Sequence, residues 1–111
     1  MTGGEMEGTV PTLTLEQRRA ALARAAEARA ARARLKARVK AGEVTLEEVL
    51  EMEDPVATRM LVRELVASLP RVGKAGAVRA MEDCRISWRR RVGGLGPVQR
   101  ERLLERFGGS E

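Results

Sequence analysis

Residues 68–77 read Ser-Leu-Pro-Arg-Val-Gly-Lys-Ala-Gly-Ala, a run that predicts two helices joined by a tight turn. Pro70 disfavours the α region for Leu69, so the first helix should end there. Gly73 has no Cβ, so the backbone can adopt a positive φ and turn back sharply. The stretch therefore predicts a local helix–turn–helix.

The predicted turn carries groups that could bind a phosphate. The amides of Val72, Gly73 and Lys74 would point outward at a helix N-terminus, where the helix dipole and free N–H donors favour an anion. Arg71 and Lys74 add full charges beside those amides. This arrangement is typical of helix-hairpin-helix nucleic-acid turns, and an ordinary αα-turn containing Pro and Gly is the alternative.

Helix-forming sequence extends on both sides of this turn. Residues 15–41 contain no Gly or Pro and are mostly Ala and Arg, so they predict one helix of about 27 residues. The further predicted helices cover 46–51, 55–68, 74–84 and 97–107, with capping signals at Thr14, Thr45, Asp54 and Pro97 and glycines at Gly42 and Gly108. No segment alternates with period two, so the predicted fold class is all-α.

The chain divides by composition into four parts. We predict a disordered lead over residues 1–12, a long basic helix over 13–42, a small helical domain over 43–108 and a tail over 109–111. The N-terminal half of the long helix is expected to project from the body, because it has few large apolar residues. Val78, Trp88 and Phe107 are predicted to lie in the core of the helical domain.

The composition excludes several kinds of chemistry. The chain has no His and no Tyr, and Cys84 is its one cysteine. It therefore cannot build a zinc or iron site of the usual kind, a Ser-His-Asp relay or an internal disulfide. We expect no metal, no cofactor, no membrane span and a reducing cytoplasmic location.

The charge balance favours a polyanionic ligand. The chain has 21 Lys and Arg against 16 Asp and Glu, a net charge of +5. On the long predicted helix, Arg18, Arg29, Arg32, Lys36 and Lys40 fall on one face. This stripe suits the tracking of phosphates, and a solvated face on an Ala-rich helix is the alternative. Residues 43–54 hold six acids, which could fold back against a basic region or face water.

A second cationic element follows the helix pair. Arg89, Arg90 and Arg91 precede the run Val-Gly-Gly-Leu-Gly at residues 92–96. Three adjacent arginines cannot share one helix face, so at least two must point to water or to a ligand. Glycines allow a backbone to approach a phosphate closely, and an ordinary surface loop is the alternative.

The motifs of a known family occur here in matching order and spacing. They are Leu13-Thr14, Glu16-Gln17-Arg18, Ala20-Ala21-Leu22, Leu35-Lys36-x-Arg38-Val39-Lys40, Leu65, Leu69-Pro70-Arg71-Val72-Gly73-Lys74, Met81 and Arg90-Arg91-Val92-x-Gly94-Leu95-Gly96. In these motifs the sequence resembles the actinobacterial integration host factors, the mycobacterial and Streptomyces type, over residues 13–108. Each motif is weak by itself, and their common order carries the resemblance.

The resemblance implies a long N-terminal helix followed by a small helix-two-turns-helix domain. It also implies a nucleoid-associated protein that binds double-stranded DNA with little sequence preference, compacts or bends it and takes part in site-specific integration. The family often has a cation at the positions of Gly93 and Leu61, and a cation or bulkier residue at Gly76. Arg79 and Arg89 are the candidates to compensate for these losses.

The resulting prediction is a non-enzymatic architectural protein, monomeric in solution and located at the nucleoid. Its partners would be duplex DNA and an integrase or another nucleoid protein. The residues predicted to contact DNA are Lys36, Arg38, Lys40, Arg71, Val72, Gly73, Lys74, Arg79, Arg89, Arg90 and Arg91. Structured RNA is the alternative ligand, because the same turn occurs in a ribosomal small-subunit head protein. A coiled-coil-like protein adaptor is the alternative class.

Overall fold

The structure is a computed structural model that describes residues 13–108. Within that range it consists of helices and contains no β-strand, which confirms the all-α prediction. The α-helices are α1 Leu15–Lys40, α2 Leu46–Glu51, α3 Pro55–Thr58, α4 Val62–Ser68, α5 Gly73–Asp83 and α6 Pro97–Phe107, with a 3₁₀ turn at Val92–Gly94. The predicted lead at 1–12 and tail at 109–111 lie outside the described residues.

The chain forms two compact units, with the boundary after Ala30. The described part of the first unit is the N-terminal portion of α1. Thr14 and Gln17 form the predicted capping box there, because the Thr14 hydroxyl accepts from the Gln17 amide at 3.0 Å and the Gln17 side chain accepts from the Thr14 amide at 2.9 Å. Leu15 and Leu22 are 60% and 64% exposed, so this portion of α1 buries little apolar surface.

The second unit, residues 31–111, contains the hydrophobic core. Leu35 and Val39 contribute to it from the end of α1. The buried members of the core are Leu35, Val39, Val44, Leu46, Val49, Leu50, Ala57, Met60, Val62, Leu65, Val66, Leu69, Ala77, Ala80, Met81, Cys84, Ile86, Val92 and Leu103. Phe107 packs against this cluster, as predicted.

Helix termini follow the sequence signals closely. α1 ends in a Schellman motif, in which Gly42 has φ +80° and the amide of Glu43 donates to the carbonyl of Arg38 at 2.9 Å. α2 begins with a capping box between Thr45 and Glu48, and the Asp54 carboxylate accepts from the amide of residue 56 at the start of α3.

The third predicted helix is wrong, because residues 55–68 form two helices and not one. The chain between α3 and α4 is extended at Leu61 (φ −71°, ψ 138°), where it pairs with Arg91 in an isolated antiparallel bridge. The amide of Val62 donates to the carbonyl of Arg90, and the amide of Val92 donates to the carbonyl of Met60, both at 2.9 Å. These long-range bonds replace the intrahelical bonds that a continuous helix would have formed.

Two residues predicted to lie in the core are on the surface. Val78 is 40% exposed on α5, and Trp88 is 46% exposed in the segment after α5. On α5 the positions that face the core beside Val78 carry small side chains instead, because Ala77 and Ala80 are 1% and 0% exposed. The acids of α2 at Glu47, Glu48 and Glu51 are exposed, so this helix faces water with its charged side.

Candidate nucleic-acid interface

The turn between α4 and α5 is held from the core side. Leu69 is extended (φ −63°, ψ 147°) and buried, which fixes the end of α4. The Ser68 hydroxyl donates to the Glu64 carbonyl one turn earlier in α4 at 2.8 Å. Arg71 and Gly73 both adopt φ +68°, so the chain reverses through two left-handed residues.

The start of α5 leaves backbone donors directed away from the helix. Val72 is the N-cap residue, and within the described chain no side chain caps this terminus. The Val72 amide donates to the Leu69 carbonyl at 3.1 Å, so it is engaged inside the turn and does not match the outward orientation expected of it. The first amides of a helix have no intrahelical acceptor, which leaves those of Gly73 and Lys74 for an anion.

The left-handed conformation of Arg71 has a counterpart outside the turn. Arg85 has φ +58° and occupies the glycine position of a Schellman motif, because the Ile86 amide donates to the Met81 carbonyl at 2.9 Å. Both arginines are exposed. The backbone strain at these two positions can therefore be tested without disturbing the core.

We expect Arg71→Gly and Arg85→Gly each to stabilise the fold. A left-handed conformation costs a non-glycine residue about 1–2 kcal/mol and the entropy of glycine costs about 0.5–1 kcal/mol, so the net gain is about 0.5–1 kcal/mol. Thermal unfolding should then shift upward by a few degrees. Arg79→Gly is the control, because this exposed residue lies within α5 and the change should destabilise by about 1 kcal/mol. Equal melting temperatures for all three variants would contradict the assignment.

The arginine run forms a bend that is attached to the core by its backbone. The Ser87 hydroxyl accepts from the Arg89 amide at 3.2 Å, and the Ser87 carbonyl accepts from the Arg90 amide at 2.9 Å. The bridge between Arg91 and Leu61 then connects the bend to the start of α4. The three arginines are exposed although their backbone is fixed, which is the requirement for a preorganised cationic site.

Two of these guanidinium groups are oriented by backbone carbonyls. Arg90 donates to the Gly94 carbonyl at 3.1 Å, and Arg91 donates to the Arg59 carbonyl. A guanidinium has five N–H donors, so each group keeps donors for an anion after making one such bond. Because one bond already restricts the side chain, less entropy is lost when the guanidinium binds a phosphate.

The bend borders a groove that contains further cations. Arg32 from α1, Arg59 and Arg91 line it together with Leu61 and Glu64. Within the second unit, the structure thus brings one member of the basic stripe, Arg32, next to the arginine bend. The sequence did not point to Arg59 as a site residue. The break between α3 and α4 places Arg59 in the groove. This break depends on a long-range bridge, and no Gly or Pro marks it in the sequence.

The other predicted site residues are distributed as follows. Lys36 pairs with Glu64 at 3.5 Å, and Arg38 pairs with Glu43 at 3.5 Å. Both pairs are substantially exposed, so they are weak and could exchange their carboxylates for a phosphate. Lys40 and Arg79 are exposed on α1 and α5 and do not line the groove.

The turn and the bend are connected by one short helix. α4 begins at Val62, which is bonded to the bend, and ends before Leu69, which belongs to the turn. A helix of seven residues is roughly 10 Å long. Along the axis of B-DNA, that length corresponds to the rise of about three base pairs.

The remaining chemistry of the described residues is sparse. Among residues 13–108, no group of His, Cys, Asp and Glu side chains could hold a metal ion. Cys84 is 3% exposed, and burial raises the pKa of its thiol, which makes it unreactive. Within the same range no helix has the length and apolar content to cross a bilayer.

Helices α4 and α5 are joined by a tight turn with two left-handed residues, which is the arrangement of a helix-two-turns-helix domain. A family model described as "S13-like H2TH domain" matches residues 39–107. The integration host factor of Mycobacterium tuberculosis is 48% identical over 101 residues, which cover 89% of this chain and 96% of the relative. That of Streptomyces coelicolor is 46% identical over 101 residues, which cover 89% and 94%.

The structure has a solved neighbour as well. It matches a structure of sIHF bound to an 8-bp palindromic DNA with a TM-score of 0.74 and 44% identity, covering 77% of this chain and 98% of the neighbour. The chain therefore belongs to the actinobacterial integration host factor family. This confirms the resemblance on which the sequence analysis relied.

Proposed function

We propose that this chain is a non-enzymatic architectural protein that binds double-stranded DNA at the nucleoid. One observation carries the proposal: an open helix N-terminus and a fixed arginine bend lie at the two ends of α4. Phosphate contacts at both ends would supply most of the affinity, so sequence preference should be low. The DNA-bound state of the solved neighbour and the names of the relatives support this choice of ligand.

The contacts follow from the geometry of each element. The amides of Gly73 and Lys74, with the charges of Arg71 and Lys74, would bind one phosphate. Arg89, Arg90 and Arg91 would bind further phosphates at the other end of α4. Lys36, Arg38, Lys40 and Arg79 would add charge around these two points, and Arg32 and Arg59 join them in the groove.

The cellular role follows from such binding. A protein held by backbone contacts can cover many sites, and bending or compaction of the duplex is the consequence we propose for this chain. We extend the proposal to a cytoplasmic nucleoid location, a monomeric state in solution and a contribution to site-specific integration beside an integrase or another nucleoid protein.

A mobility-shift titration with random-sequence duplex at two salt concentrations tests the proposal. With roughly five phosphate contacts, the affinity should fall on the order of 500-fold between 50 and 200 mM salt. Salt-insensitive binding of a protein, together with concentration-dependent dimers of the free chain, would favour the adaptor function instead. Failure to shift any duplex at low salt would overturn the proposal.

Structured RNA is the second candidate, because the matching family model is S13-like. Duplex RNA has a deep, narrow major groove and a wide, shallow minor groove, so the spacing of its phosphates around a protein differs from that of B-DNA. Competition between duplex DNA and duplex RNA of equal length separates the two ligands. We expect DNA to compete more strongly, and a preference for RNA would assign the interface to that ligand.

The first portion of α1 should contribute to DNA affinity and not to stability. Every buried residue of the described chain lies at or after Leu35, so deletion of residues 1–26 should leave a cooperatively unfolding domain. The same deletion removes Arg18, Arg19 and Arg24, so the affinity for duplex DNA should fall several-fold. Calorimetry measures whether unfolding stays cooperative, and a mobility-shift titration measures the affinity for duplex DNA. Loss of cooperative unfolding, or an unchanged affinity, would contradict this assignment.

A further inference from the structure

Trp88 is an exposed aromatic residue whose placement the proposed phosphate contacts do not use. It is 46% exposed, and Val78, which lines the same shallow groove, is 40% exposed. Met81, Glu82 and Ile86 complete the groove. Exposed apolar side chains that lie next to one another mark an interaction surface more often than exposed apolar residues scattered singly do.

The Trp88 ring is held in one orientation by a cation. The guanidinium of Arg63 lies over the ring, 5.0 Å from its centroid, and also donates to the Trp88 carbonyl at 3.0 Å. The backbone next to the ring is fixed by the Ser87 turn. An exposed ring that is restrained before binding loses little entropy on contact with a ligand.

The charges around the groove point to a polyanion as its occupant. Trp88 is followed directly by Arg89, Arg90 and Arg91. Lys74, at the start of α5, lies one helical turn before Val78 on the same face of the helix. The groove therefore lies between the two cationic elements that would bind phosphates, and an acidic ligand is favoured over a neutral protein surface.

Glu82 places a negative charge in the lining of the groove. Its carboxylate is exposed at the groove edge and repels a phosphate there. The uncharged portions of a duplex near its phosphates are the deoxyribose rings and the base edges. Apolar side chains commonly contact these portions, and in minor-groove proteins they wedge between base steps.

We propose that Trp88 and Val78 form an apolar contact surface that packs against the sugar and base edges of a bound DNA duplex. The inference rests on the proposed function and deepens it, because it adds a contact that does not depend on charge. Phosphates held at the turn and at the arginine bend bring the strand onto the ring. Glu82 keeps the backbone phosphates out of the groove itself.

The intrinsic fluorescence of the full chain tests this placement directly. Trp88 is the one Trp in the chain, and there is no Tyr, so the emission reports this residue alone. On titration with random-sequence duplex, the emission should be quenched with the same dissociation constant as the mobility shift. Acrylamide should quench Trp88 readily in the free protein and poorly in the complex.

Variants separate the apolar contact from the phosphate contacts. Trp88→Ala should weaken duplex binding roughly 10-fold, a typical loss for one aromatic contact to nucleic acid. The slope of log K against log salt should stay unchanged, because no charge is removed. Trp88→Phe should restore most of the affinity. Because Trp88 lies outside the buried core, both variants should unfold cooperatively, and Trp88→Ala should melt only slightly lower through loss of the Arg63 contact.

A matched pair of valines provides the control. Val78 and Val98 are both exposed on helices, at 40% and 56%, and Val98 lies on α6 outside the groove. Val78→Ser should weaken duplex binding, whereas Val98→Ser should leave it unchanged. Glu82→Gln should strengthen binding, because it removes a repulsive charge beside the contact.

The outcomes distinguish this inference from the proposed function. If the chain shifts duplex DNA while Trp88 stays accessible to acrylamide and Trp88→Ala binds as tightly as the unaltered chain, the inference is overturned and the proposed function stands. If the chain shifts no duplex, both fall. Protection of Trp88 that rises with protein concentration in the absence of DNA would assign the groove to a second copy and would overturn the inference.

Discussion

Replacing both Arg90 and Arg91 by alanine is expected to reduce the magnitude of the slope of log K against log salt by roughly two units. Each neutralised phosphate contributes about −0.9 to that slope, so two lost contacts correspond to a loss of roughly 60-fold in affinity at 0.1 M salt. The loss should be the same for random and preferred duplexes, because phosphates carry no sequence information. A mobility-shift titration of both duplexes over a range of salt concentrations measures these quantities.

The structure requires one control for this double variant. Arg90 and Arg91 each donate to a loop carbonyl, so alanine removes an intramolecular bond as well as a charge. Glutamine at both positions removes the charge and keeps an N–H donor. If the salt slope reports phosphate contacts, the Gln and Ala variants should have the same slope. The backbone bonds of the bridge at Leu61 should keep the bend folded in both variants.

A charge-matched variant provides the comparison away from the bend. Arg85 and Arg102 are exposed and lie outside the proposed contacts, so their double replacement by alanine removes the same net charge. Its salt slope should remain close to that of the unaltered chain. If the double variant at Arg90 and Arg91 loses affinity for only one DNA sequence, these residues read base edges in a groove. An unchanged slope and affinity would place the DNA-binding face elsewhere.

Local signals in the sequence were sufficient for most of the helix boundaries. The capping boxes at Thr14 and Thr45, the Asp54 cap and the glycine after α1 involve partners within five residues, so their geometry can be inferred from spacing alone. The turn at residues 69–72 was predictable for the same reason. Pro70 restricts the backbone and Gly73 permits a positive φ wherever these residues occur, and the observed φ of +68° at Gly73 confirms this reasoning.

The features that the sequence did not reveal depend on distant partners. The break at Leu61 exists because the residues on either side of it form backbone hydrogen bonds with residues some 30 positions away. Neither of the two paired segments contains a Gly or Pro that would mark the break. The same bridge places Arg59 in the groove and fixes the arginine bend. Trp88 was expected in the core, but it is 46% exposed and its ring contacts Arg63 at the surface. No local pattern identifies such a pair.

The candidate site itself was only partly predictable. Composition and the Arg run located the cations, but one of the three expected turn amides, that of Val72, is bonded to Leu69 inside the turn. The left-handed conformation of Arg71 was also unexpected, since non-glycine residues rarely adopt it. Both differences have one cause. The chain reverses direction within four residues. This reversal requires a left-handed residue and a hydrogen bond inside the turn.

Replacing Gly73 by alanine is expected to lower duplex affinity on the order of 10- to 100-fold. Gly73 has φ +68°, and a Cβ at this position would meet no heavy atom within 4 Å, so the substitution acts through the backbone and not through a clash. The resulting strain of about 1–2 kcal/mol favours a relaxed turn, in which the amides of Gly73 and Lys74 no longer point at one phosphate. Hydrogen bonds to a charged group are worth about 1.5–3 kcal/mol each, so misplacing one of them accounts for the expected loss.

Gly42 provides the matched control for this prediction. It has φ +80°, and a Cβ there would also meet nothing within 4 Å, but it lies at the end of α1 and outside the turn. Gly42→Ala and Gly73→Ala should therefore destabilise the fold by similar amounts in thermal unfolding, and only Gly73→Ala should weaken DNA binding. Because no charge is lost, the weakening should be equal at every salt concentration, whereas Lys74→Ala should reduce the salt slope by about one unit. If Gly73→Ala is as strained as Gly42→Ala and still binds duplex with unchanged affinity, the turn amides do not contact phosphate, and the arginine bend must supply the interface by itself.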